Sequence, residues 1–188
     1  MLEKKRTKKA FNIYRLCFVC LTAWGVGVVL AIILYYLIPI QAIHTMQIKS
    51  VAPFSNNADL AQSNSLHRVA KLFVHNISVG FLIGIGGFMT AGSLSIIILA
   101  YNGFIASSTI INAVLAHKNG AYLINHLLWH GVFEMSALIW LGAVGLTGFY
   151  AWKQFIQSRP VILNDYFSIK KIFLPVVLLV IAAIIEGR

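Results

Sequence analysis

The sequence predicts an all-α protein, a polytopic bundle of about five transmembrane helices, and three observations point to it. Hydrophobic residues make up 59% of the chain and charged residues only 11%, with a mean hydropathy of +0.82. A soluble domain carries about 45–50% and 25% respectively. The apolar residues also gather in blocks that suit a bilayer crossing of about 20 residues. Finally, the charge is mostly basic, 15 Lys and Arg against 5 Asp and Glu, and it gathers mainly at the block ends. A chain of 188 residues leaves no room for a second globular domain beside such a bundle.

The first element is a basic segment, residues 1–15, with Lys4, Lys5, Arg6, Lys8, Lys9 and Arg15. The block at residues 16–38 follows and runs up to Pro39. A basic start before an apolar stretch also describes a signal peptide, but this stretch is too long and has no clear small-x-small cleavage site. It therefore reads as an uncleaved span. Residues 40–66 hold Lys49, Pro53, Asn56, Asn57, Asp59 and Asn64 and read as an external loop that could carry a short interfacial helix.

The second span is expected at residues 69–88, and a tight Gly-rich turn at 86–92 leads into a third at 93–114. A short polar turn at 117–120 precedes the fourth block, 122–152, which exceeds one crossing and so tilts or projects from the bilayer. After a basic loop with Lys153, Arg159, Lys170 and Lys171, the last and shortest block covers 172–185. The transmembrane domain thus spans residues 16–188.

Ten of the 15 basic residues fall on the side of the N-terminus, while Lys49, Arg68, Lys71, Lys118 and Arg188 fall on the other. The excess places the N-terminus in the cytoplasm. A net charge of +10 can also mark nucleic-acid binding, but no nucleic-acid module accompanies it here. Membrane lipids with anionic headgroups are the expected partner, and nucleic acid is not. Cys17 and Cys20 lie inside the first span, where they read as small apolar side chains on one face rather than a disulfide or redox pair.

Polar residues at membrane depth carry the functional question. Asn76, Gly80, Gly84 and Gly87 share one helical face, and Gly80-x-x-x-Gly84 lets another helix approach closely. Asn76 on that stripe is expected to hydrogen-bond across the interface. His75 precedes it. Asn102-Gly103 in the third span reads as structural glue.

His126, His130 and Glu134 recur every four residues, on one face of the fourth block. Two imidazoles one turn apart can ligate a metal, with a carboxylate in support and His75 from another helix as a further ligand. Zinc is then the cofactor to test for, although the sequence demands none. The plainer alternative is a His130–Glu134 hydrogen-bonded pair inside the bundle. Glu186, at the end of the last block, reads either as an interfacial acid or as a buried one.

The run His130-Gly131-x-x-Glu134, followed by Gly142-Ala143-Val144-Gly145-Leu146, resembles the stage II sporulation protein M family. Phe73-Val74-His75-Asn76, Asn102-Gly103 and Ile185-Glu186-Gly187 are similar to further family elements, in order. The likeness covers residues 72–187. The family often has Asn at the place of His75 and Pro at that of Trp129; its loop is shorter than 40–66, and it continues past Glu186.

The resemblance implies a bacterial cytoplasmic-membrane protein that assembles with other membrane or cell-wall proteins. In endospore formers such a complex includes cell-wall hydrolases and drives engulfment. Relatives beside circular bacteriocin genes imply maturation, export or immunity, with a hydrophobic peptide as partner. The favoured reading is a non-enzymatic scaffold. In the enzymatic alternative, His130 and Glu134, with Asn76, Asn102 or Glu186, activate water for cleavage or transpeptidation of a peptide in the membrane. A third alternative is a peptide transporter or immunity protein. No Walker A motif occurs, which argues against direct ATP hydrolysis.

Overall fold

The computed structural model describes residues 12–37, 65–115 and 120–186, and at residues 65, 68, 113, 115, 120–128, 130, 169 and 170 it describes the backbone alone. The residues before Asn12, most of the expected external loop and residues 116–119 of the polar turn lie outside the described residues. Every described element is a helix, and among the described residues there is no strand.

Helix α1 (Ile13–Leu37) is apolar throughout. Asn12 starts it by accepting the Tyr14 N–H on its side-chain oxygen at 3.1 Å, an N-cap. Cys20, Gly27 and Ala31 face the interior, whereas Phe18, Leu21, Val29 and Ile33 are exposed. Cys17 and Cys20 are free thiols, the second fully buried in the apolar core.

Helix α2 (Ser65–Phe81) continues through a π-helical segment (Leu82–Gly86) into the short α3 (Gly87–Met89). Gly86 and Gly87 keep right-handed helical angles. The turn is therefore residues 90–92 alone, tighter than the 86–92 expected. The Gly92 N–H donates to the Gly87 carbonyl at 2.6 Å and the Ala91 N–H to that of Phe88 at 3.3 Å. This pair of bonds is a Schellman motif, with Ala91 (φ 54°) in the left-handed position and Gly92 (φ 92°) after it. Thr90 seals it, donating its hydroxyl to Gly86 and accepting the Leu94 N–H.

Helix α4 (Ser93–Leu115) runs back along α1. Here two glycines let backbones touch: Gly27 lies against the Ala100 carbonyl and Gly103 against that of Trp24. Helix α5 (Gly120–Leu146) is the hub, packed on α1, α2, α4 and the last helix. Ala137, Leu138, Leu141, Ala143, Val144 and Leu146 on it are buried.

The fourth apolar block stays helical through a single-residue irregularity at Thr147, so that Gly131–Ile156 forms one stretch. Thr147 is buried, its hydroxyl donating back to the Val144 carbonyl at 2.5 Å, and α6 (Gly148–Ile156) follows. The one-turn α7 (Leu163–Tyr166) buries Tyr166 against Phe88, ring centroids 5.6 Å apart.

Helix α8 (Ile169–Glu186) starts earlier than residue 172 and contains Pro175. A proline there has no N–H for the Lys171 carbonyl four residues back. The Trp140 indole supplies the missing donor from α5, at 2.9 Å. Pro175, Leu179, Ala182 and Ala183 form the buried face of α8.

Four helical stretches are long and apolar enough to cross a membrane: Ile13–Leu37, Val69–Met89, Ser93–Asn112 and Gly131–Ile156. The fifth apolar block falls short of that measure, since α8 has 18 residues and carries Lys170, Lys171 and Glu186 near its ends. It nevertheless packs into the bundle against α5 and α2.

Candidate functional site

The site is best built outward from a seam where α2, α5 and α8 meet. A methyl group on Gly80 would lie 2.7 Å from Cδ1 of Leu141, 3.5 Å from Cδ1 of Leu179 and 4.0 Å from Cδ2 of Leu138. Gly84 meets Leu141, Gly87 meets Gly145, and Gly148 meets Phe88. These contacts advance together, so α2 and α5 run parallel. Phe88 meets Tyr166 and Phe167, whereas Gly80 meets Leu179, so α8 runs antiparallel to both.

Helical stride then extends the seam by one turn. Asn76 lies one turn before Gly80. Glu134 lies on the α5 stripe of Leu138 and Leu141. Glu186 continues the α8 stripe of Leu179, Ala182 and Ala183. Three helices thus contribute an amide and two carboxylates to stripes that line one end of one seam. Both carboxylates are half-buried.

Asn76 is the unusual member. It is only 4% exposed, and its side-chain Nδ2 finds no hydrogen-bond partner. The expected bond across the interface is therefore not made by this nitrogen. Leaving a buried donor unmet costs about 1–3 kcal/mol.

The other candidates separate. His75, next to Asn76, lies on the exposed side of α2 and has a partner, as has Glu134. The side chains of His126 and His130 lie outside the described residues, so the zinc site they would form does too. Among the described residues, no three His, Cys, Asp or Glu side chains gather as a metal site would require. Gly131 has open space around it. Asn102 does not bridge helices: its Nδ2 donates to the Ile98 carbonyl of its own helix at 3.0 Å. Gly103 beside it makes the close approach to α1 instead.

Sequence reasoning missed three polar groups that hold the bundle. Ser95 is fully buried and donates to the Ile83 carbonyl of the π-helical segment at 2.8 Å. Trp140 and Trp152 donate to the carbonyls of Lys171 and Met89. A proline inside an apolar block was the one signal that could have announced the first of these pairs.

No curated protein and no solved structure matches the chain. The family model described as SpoIIM, Stage II sporulation protein M, matches residues 15–188, which takes in all three helices of the seam and nearly the whole chain. The resemblance carried by His130-Gly131-x-x-Glu134 is thereby secured, and the chain belongs to the stage II sporulation protein M family.

Proposed function

We propose that the protein crosses the bacterial cytoplasmic membrane several times, N-terminus inside, and acts as a non-enzymatic scaffold or assembly factor of a membrane complex. The complex would serve cell-wall remodelling during engulfment, or the maturation, export or immunity of a circular bacteriocin. The observation that carries this reading is how interior polar groups are used. The buried Ser95 and the half-buried Trp140 each donate to a backbone carbonyl of another helix. Such bonds fix helix positions, which is what an assembly platform needs.

The test is Glu134→Gln. A scaffold loses folded protein or assembled complex, measured by immunoblot and co-purification after crosslinking, because the carboxylate sits within an apolar helix. Full abundance and full assembly without activity would overturn the scaffold in favour of an enzyme. Orientation is tested separately by a cysteine at Ser158, which should resist impermeant maleimide in intact cells. Labelling from outside reverses the topology.

The unmet Asn76 amide supports a second reading. An acceptor such as a peptide carbonyl could satisfy it, which fits a hydrophobic-peptide transporter or immunity protein, or a peptidase or cyclase using His130 and Glu134. An unchanged peptide recovered from purified protein, and lost in Asn76→Leu, would favour binding without chemistry.

A further inference from the structure

A second feature lies at the opposite end of the bundle, where α6 meets the Schellman turn. A cavity of about 410 Å³ opens there, lined by Ala91, Phe149, Trp152, Lys153, Ile156 and Gln157. That volume lies within the ~300–1,000 Å³ of small-molecule sites. The composition differs from theirs, because the walls are almost wholly apolar and lack the convergent polar groups that orient a soluble ligand.

Two constraints shape the groove. Ala91 lines it from the Schellman turn, whose own bonds to Gly87 and Phe88 fix its position. Trp152 forms a wall, and its indole N–H is already given to the Met89 carbonyl at 3.1 Å. Its ring therefore offers a fixed apolar face and no donor. The exposed Lys153, which among the described residues pairs with no carboxylate, also lines it, and Arg159 follows beyond the end of α6.

We propose that this groove is a binding site for one anionic phospholipid, with an acyl chain against Phe149, Trp152 and Ile156 and the phosphate at the Lys153 ammonium. The assignment rests on the membrane reading above. It follows from position and charge. The groove lies where the span Gly131–Ile156 ends, the depth at which Trp and Lys meet headgroups. The chain as a whole carries a net +10, and cations near the bilayer surface attract anionic lipid.

The experiment uses the full chain in bilayer nanodiscs of equal phosphatidylglycerol and phosphatidylcholine. Native mass spectrometry should show one phosphatidylglycerol retained on release from the disc. Lys153→Gln should weaken retention about five-fold, the effect of one surface lysine. Arg159→Gln, outside the groove, should change it less than two-fold. A diazirine-bearing phosphatidylglycerol should crosslink wild-type protein within residues 149–157, which needs no variant to fold. Equal losses in the two variants would mean diffuse surface charge and overturn the site, as would crosslinks elsewhere or no preference between the lipids. Failure to enter the nanodiscs at all would instead overturn the membrane reading.

Discussion

Replacing Trp140 with Phe isolates one hydrogen bond. Phe keeps most of the half-buried ring but removes the indole N–H that reaches the Lys171 carbonyl at 2.9 Å. Ordinarily residue 175 would still donate to that carbonyl from within its own helix, but Pro175 cannot. The carbonyl is then left without either donor. A buried acceptor unmet costs about 1–3 kcal/mol, and interhelical bonds within membranes are worth about 0.6–2. Trp140→Phe should therefore cost about 1–2 kcal/mol.

The partner substitution, Pro175→Ala, restores an N–H four residues beyond Lys171. In that background Trp140→Phe should cost only the lost packing, about 0.5 kcal/mol, leaving a coupling energy near 1 kcal/mol. The four proteins can be compared by unfolding in mixed micelles with increasing dodecyl sulfate, read by circular dichroism. Equal costs of Trp140→Phe in both backgrounds would refute the idea that the indole substitutes for the proline's missing donor.

Glycine substitutions on α1 should split cleanly: Gly27→Ala forces the α1–α4 backbones apart and should cost about 1–3 kcal/mol, while Gly25→Ala, with open space around it, should cost nothing measurable in the same unfolding assay. Asn76→Leu removes an unmet amide, so thermal stability should hold or rise; a marked fall would show that the amide finds a partner in the folded protein. Ser95→Ala should lower stability by about 0.6–2 kcal/mol in micelles, by removing the Ile83 bond at the bundle centre. Elemental analysis of protein purified without a His tag or chelator should find zinc well below one per chain, since His75 lies on the exposed side of its helix; near-stoichiometric zinc would establish the metal site instead.

Much of this architecture was legible in the order of the residues, because hydropathy reports lipid-facing surface directly. The ends of α1 and α4 fall within a few residues of the expected spans for that reason. The face shared by Asn76, Gly80, Gly84 and Gly87 was legible too, since stride alone places residues four apart together. Partners chosen across the bundle were not. Trp140 and Lys171 are 31 positions apart, and Ser95 meets Ile83 through a turn that no periodicity encodes. The irregularity at Thr147 escaped because its hydroxyl bonds locally and leaves the apolar pattern intact. At the candidate site, the motif drew attention to Glu134, but only the crossing of three helices showed Asn76 and Glu186 on stripes of the same seam while Asn102 stood apart.

The π-helical segment at Leu82–Gly86 has a consequence for how this chain can vary. One such turn holds an extra residue compared with an α-helix. Deleting a single residue there would let the rod close into continuous α-helix with its two halves keeping their faces, because the wider turn accommodates that residue without adding a residue's worth of rotation. Asn76 and Gly80 would stay in the seam, and exposed side chains such as Val74 and Phe81 would stay outside it. This stretch can therefore absorb a one-residue change in length, and such a gap between two relatives here would leave the face turned to α5 in place.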